Sequence, residues 1–190
     1  KVVFIGPCIA KKAEAKEEDV KDAVDAVLTF KELKQVLEAV GIDPAAMEEY
    51  SSEHSSTAGR IYARTGGVSK AIADTLKKIR PERAIQIKAI QANGVKECRK
   101  LLEDLRACKI DANFYEGMGC VGGCVGGPQI NIDPGKGTEA VNKYGAEAPS
   151  RIPADNRYVL ELLQALGFKE ISELLDGSKS NMFKRDFSSV

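Results

Sequence analysis

Two short stretches hold the residue types that do chemistry. One is GPCIAKKAE, residues 6–14, with Cys8, Lys11 and Glu14 close together. The other is GMGCVGGCVGG, residues 117–127, in which six of eleven residues are glycine and Cys120 and Cys124 stand four apart. A run this rich in glycine loses much backbone entropy on ordering and has few side chains to pack. Something must compensate, and a ligand that needs close backbone approach would do so. A Cys-x-x-x-Cys pair among glycines suits a bulky inorganic cluster better than one zinc ion, since structural zinc prefers two matching cysteine or histidine pairs and no second pair is present. Glycine amides turned toward such a cluster could hydrogen-bond its sulfur. The plain alternative is a glycine turn with two buried thiols.

In the first stretch, Pro7 is suited to a first helical position. A helix starting there would put Cys8 in its first turn, where unpaired amides favour thiolate. Lys11 and Glu14 would share a face with it. A capped surface helix with solvated charges is the ordinary alternative, and a phosphate-binding loop is disfavoured because the Walker spacing is missing. Together the two stretches supply three thiols, Cys8, Cys120 and Cys124, whereas a cubane held by cysteines takes four. Cys98 falls on the apolar side of a leucine-rich helix and reads as a core cysteine. Cys108 reads as structural, His54 as ordinary, and Met118 as either core or site.

The elements that must position these residues follow from periodicity and punctuation. VVFI (Val2 to Ile5) reads as a strand ending at Gly6, and VDAVLT (24–29) as a second. Thr29 and Glu32 form a capping-box signature before a helix with Leu33, Val36, Leu37 and Val40 on one face, closed by Gly41. Residues 43–60 read as an irregular loop. TGGVSKAIADTLKKI predicts a glycine turn into a helix ending before Pro81. AIQIKAI (84–90) predicts a strand. A helix then carries Val95, Cys98, Leu101, Leu102 and Leu105 on one side, and IDANFYEGM (110–118) predicts the strand that enters the glycine-cysteine run. NRYVLELLQALG (156–167) predicts a helix, polar residues precede it, and the amphipathic tail SNMFKRDF has no assigned place. Alternation of strand and helix predicts an α/β fold with a largely parallel sheet. Ligands of such sheets gather at the carboxyl ends of strands, where Cys8 and Cys120 both fall.

The bulk properties narrow the function. The 190 residues carry 28 Lys+Arg and 28 Asp+Glu, so there is no basic excess for nucleic acid. No apolar run approaches the roughly 20 residues that span a bilayer, and no secretory signal is visible. Five cysteines in an odd set do not resemble a secreted disulfide framework. A reducing, cytoplasmic setting is the expectation. Because the chain opens on an apolar strand, further strands before residue 1 are expected.

GPCIAKKAE and EGMGCVGGCVGG resemble the second and third signature segments of the iron–iron hydrogenase large subunit. TGGVSKAI and ANGVKECRKLLEDL resemble that family's catalytic domain in the same order. The resemblance covers residues 1 to about 130 and, more loosely, the rest. It implies that residues 1–190 are the carboxyl-terminal part of the catalytic domain, a fragment of a two-lobed α/β fold, with the first signature segment before residue 1. It implies an H-cluster, made of a 4Fe–4S cubane and a two-iron subsite, that is incomplete or absent in this fragment alone. Cys8 and Cys120 match cubane ligands, and Cys124 matches the ligand bridging to the two-iron subsite. Lys11 matches a lysine that hydrogen-bonds a subsite cyanide, Glu14 a carboxylate of the proton path, and Met118 a methionine packed on the subsite. The implied partners are the upstream part of the same polypeptide, a ferredoxin-like electron carrier, protons and dihydrogen. Val121 and Pro128 look more like a sensory or uncharacterised branch of the family. A hydrogen sensor and a non-catalytic iron–sulfur assembly protein therefore stand beside the enzyme, although Lys11 and Glu14 favour the first two readings, since a plain cubane needs neither.

Overall fold

The computed structural model describes residues 1–50, 54–83, 86–176 and 178–180. Two pairs of parallel strands organise the chain. β1 (Val3–Gly6) pairs with β2 (Ala26–Thr29), setting Val3 beside Ala26 and Gly6 beside Thr29. β3 (Ala89–Asn93) pairs with β4 (Phe114–Met118), setting Ala89 beside Phe114 and Asn93 beside Met118. The expected α/β class with parallel strands is present, as two two-stranded sheets among the described residues.

The crossover in the first pair contains α1 (Lys11–Glu14), a single turn. It starts after Ala10 rather than at Pro7, so Cys8 stands ahead of the helix and not in its first turn. Packing explains this. The Pro7 carbonyl accepts the Gln129 amide at 3.2 Å, which commits the chain there to a distant segment and not to its own helix.

β2 passes into α2 (Phe30–Ala39) without a loop, because Thr29 is both last strand residue and N-cap. Its hydroxyl accepts the Glu32 amide at 3.2 Å, and the Glu32 carboxylate accepts the Thr29 amide at 2.7 Å, the reciprocal pair the sequence predicts. Gly41, at φ 71, closes the helix, and Ile42 donates back to the Leu37 carbonyl. Of the predicted apolar face, Val36 and Val40 are exposed and only Leu33 and Leu37 are half-buried.

α3 (Thr57–Arg60), capped by the Ser56 hydroxyl, lies within the stretch predicted to be irregular. It leads to α4 (Gly67–Ile79), entered through a left-handed Gly66. β3 begins later than the sequence predicts. Ala84 and Ile85 lie outside the described residues, and the Asn113 side chain takes the place of a ladder just beyond β3: it accepts the Lys88 amide and donates to the Gln86 carbonyl. α5 (Val95–Arg106) is the crossover to β4. Its predicted apolar side is largely uncovered: Val95, Leu102 and Leu105 are exposed while Cys98 and Leu101 are half-buried.

The sequence gives no sign of α6 (Pro134–Ala146), which Asp133 caps by accepting the Gly135 and Lys136 amides. α7 (Arg157–Ala165) follows, capped by Asn156, within the predicted range. The small core consists of Ala58, Ala71 and Ile152, with Ile61, Ala92 and Val125 also buried.

Candidate metal centre

The strand ends deliver the cysteines. Cys8 follows β1, and Cys120 follows β4 by two residues. Beyond Cys120 the chain makes a turn, then a 3-10 turn at Cys124–Gly126, and runs on to Pro128. Three anchors hold this loop. Arg64 and Gly123 form an antiparallel bridge. The Thr65 amide donates to the Gly122 carbonyl at 3.1 Å. The Gln129–Pro7 bond ties its far end to the Cys8 segment, where a Cβ on Gly127 would lie 2.7 Å from the Pro7 carbonyl oxygen. From below, α6 presents Gly137, whose missing side chain leaves room for Val125. This explains why α6 is poor in apolar residues and rich in glycine.

The loop glycines serve packing and backbone shape. Gly123 has φ 86 and ψ −154, a region open essentially to glycine alone. A Cβ at Gly126 would sit 1.7 Å from the Val121 carbonyl oxygen. Their amides are not turned toward a ligand. Gly122 donates to Asn93 Oδ1, Gly123 to the Cys120 carbonyl, Gly126 to the Gly123 carbonyl and Gly127 to the Cys124 carbonyl. That corrects the expectation that these glycine N–H groups face cluster sulfur.

The three thiols are brought together. Cys8 and Cys120 are half-buried, and Cys124 is exposed. The Cys124 thiol is pushed up from its ordinary range, first by burial, then by negative charge at Cys8 and at Cys120, while the Lys11 ammonium pulls it down. Cys8 and Lys11, 116 and 113 positions away in sequence, thus act on the Cys124 sulfur. Lys11 forms an ion pair with Glu14 within α1, lies 6.0 Å from the Phe4 ring centre, and lines with Glu14, Phe4, Val24 and Val27 a cavity of about 190 Å³. Met118 ends β4, where its carbonyl accepts the Gly94 amide at 2.8 Å and the Cys98 thiol at 3.5 Å.

Cys98 is thus engaged with β3 and β4 through the Ala92 and Met118 carbonyls. Cys108 lies past the far end of α5, whose 12 residues carry it about 18 Å from the edge where the other three meet. His54 stacks on Tyr158. Three residues that sequence reasoning missed support the loop: Thr65, Asn93 and Glu116. Glu116 left a faint signal, a lone charge inside an otherwise apolar strand.

Among the described residues no three His, Cys, Asp or Glu side chains are drawn in tightly enough for a single ion. A four-iron cubane spreads its ligand sulfurs over separate corners, and three soft thiols around a close-packed glycine backbone fit that group. Among the described residues no helix is long and apolar enough to cross a membrane.

Comparison with known proteins finds relatives of this chain. Residues 1–128 match the family model described as iron only hydrogenase large subunit, C-terminal domain. The chain is 32% identical over 165 residues to the periplasmic Fe hydrogenase large subunit of Nitratidesulfovibrio vulgaris, a match covering 70% of this chain and 39% of that protein. Among solved structures, HydA(deltaEFG), described in connection with stepwise assembly of the FeFe-hydrogenase H-cluster, superposes with a TM-score of 0.65 at 21% identity. That match covers 85% of this chain and 57% of the other. A variant of FeFe-hydrogenase HydA1 from Chlamydomonas reinhardtii gives 0.65, 21%, 85% and 57%. These structures share the fold, and the chain spans well under half the length of the curated relative it matches.

Proposed function

The chain belongs to the iron-only hydrogenase large subunit family, and on that premise we propose that it forms the carboxyl-terminal part of an H-cluster domain. When bound, a 4Fe–4S cubane with its two-iron subsite supplies reversible reduction of two protons by two electrons to dihydrogen. The observation that carries this reading is the convergence of Cys8, Cys120 and Lys11 on the Cys124 thiol. Cys8, Cys120 and Cys124 would hold the cubane as thiolates, Cys124 also reaching the subsite. Lys11 presents a cation beside them, oriented by its ion pair with Glu14. Glu14 takes up and releases a proton at its carboxylate, at the lip of a cavity walled by Phe4 and Val27. Met118 closes the strand that delivers Cys120.

The fourth cubane thiolate lies outside this set, because Cys98 is held against two carbonyls and Cys108 is at the other end of α5. We assign it to a further segment of the same polypeptide, with a ferredoxin-like carrier supplying electrons. The odd set of free cysteines supports a cytoplasmic setting, although the curated relative is periplasmic by name. Cell fractionation decides that point.

The test is anaerobic maturation of the natural protein, followed by electron paramagnetic resonance and a hydrogen assay. A cubane signal lost in Cys124→Ser, together with hydrogen turnover, is the expected result. Turnover without any cysteine-dependent cluster would refute the reading. Val121 and Pro128 support a hydrogen-sensing variant of the same site, which would give the cluster signal with slow turnover.

A further inference from the structure

The parallel register sets Gln91 beside Glu116 and Asn93 beside Met118, so all four residues belong to one face of the β3–β4 pair. That face meets the turn entering α4. Glu116 is 4% exposed, and its carboxylate accepts the Gly66 amide and the Ser69 amide, both at 2.7 Å, and the Ser69 hydroxyl. The Ser69 hydroxyl in turn accepts from Gln91 Nε2 at 3.0 Å. Beside Gly66, the Thr65 hydroxyl donates to Asn93 Oδ1 at 3.0 Å, and that same oxygen accepts the Gly122 amide at 2.6 Å. The Gly122 carbonyl is taken by the Thr65 amide. Gly122 lies between Cys120 and Cys124, and both its main-chain polar groups are therefore fixed by protein.

We infer that Asn93 is a positioning residue for the cysteine loop: by holding the Gly122 amide it sets the loop that carries Cys120 and Cys124 before any metal arrives. Glu116 holds the α4 turn at the height that lets Thr65 orient the Asn93 side chain. A buried carboxylate without its donors is costly, so the α4 turn and the loop are set together. This rests on the reading of the loop as a cluster site, and it adds that the site is preformed.

Amide exchange at Gly122 in the metal-free natural protein tests it. Asn93→Ala should speed that exchange about fivefold, the loss of one ordinary hydrogen bond, and leave α2 and α7 amides unchanged. Asn93→Asp keeps the acceptor oxygen and should restore the native rate. Should Asn93→Ala not fold, Thr65→Val removes the orienting hydroxyl at near-constant size and should also speed Gly122. Native exchange at Gly122 in the alanine variant, or in the valine variant where it is the one used, overturns the inference; so does an aspartate variant as fast as alanine. In a second arm, iron and sulfide uptake should be slower in Asn93→Ala and restored in Asn93→Asp. A native protein that takes up no iron and sulfide would sink the cluster reading, while the exchange arm would still decide the role of Asn93.

Discussion

Cys124 makes the site measurable residue by residue. Burial and the neighbouring thiols Cys8 and Cys120 raise it, and Lys11 lowers it. In the metal-free protein its alkylation rate should therefore rise with pH around a midpoint above the ordinary cysteine value of about 8.5. Lys11→Met removes the cation and should move that midpoint higher; Cys8→Ser removes a negative neighbour and should move it lower. A midpoint indifferent to both changes would mean that the three groups do not share a site. The sign carries over to loading: a raised thiol holds its proton more tightly, metal must displace it, and uptake should improve as pH rises. Glu14 has a different role. Glu14→Gln in the matured protein should cut hydrogen turnover at least tenfold, a loss typical of a removed proton-transfer group, with cluster content and melting temperature nearly unchanged. Equal loss of cluster and activity would contradict the assignment. At this scale the cysteines were legible because their types and spacing are unusual by themselves. Asn93 and Glu116 were not, because their partners are amides of a helix entry and a loop remote in sequence.

Among the elements, the Thr29–Glu32 capping box was legible, since its chemistry is local. Thr29 is 2% exposed, so Thr29→Ala should cost about 1–2 kcal/mol in a denaturant melt, as lost caps do. Glu32 is drawn down to about 2, chiefly by its hydrogen bond with Lys12 and then by those with Thr29. Its contribution is therefore present above the ordinary carboxylate range and lost as pH falls through about 2. The glycine-cysteine loop sorts its glycines by space. Gly126→Ala would drive a Cβ into the Val121 carbonyl, whereas a Cβ on Gly119 meets nothing within 4 Å. The first change should cost about 3 kcal/mol or expel the cluster, and the second under about 0.5 kcal/mol. Similar melting temperatures and iron contents for the two variants would refute the packing account. α6 escaped sequence reading because Gly135, Gly137 and Gly145 weaken both propensity and periodicity. Gly137 and Gly145 mark where Val125 and Ile61 press against it.

For the whole molecule, apolar patterning found the four strands and the helices α2, α4, α5 and α7 but misjudged what covers them. Val3, Phe4 and Ile5 in β1, and Val95 and Leu102 on α5, are among the uncovered residues. Parallel sheets are stable when both faces are covered. Their sequence patterns predict burial, which the described residues do not provide. The isolated 190 residues should bind a hydrophobic dye strongly and, after reconstitution with iron and sulfide, hold well under one cubane per chain and evolve no hydrogen. Supplying the further segment proposed to carry a fourth thiolate should restore cluster binding and quench the dye. A full complement of cluster in the isolated chain would overturn the three-ligand count.

The meeting of Cys8 with Cys124 also has a mechanical meaning. Any group bonded to both sulfurs closes most of the chain into a ring. A cross-link around roughly 100 residues removes enough freedom from the unfolded polymer to favour the folded one by about 4.7 kcal/mol in the chain-entropy estimate. The metal would then act as a clasp, with unfolding forced to keep the two ends of that ring joined until a sulfur lets go.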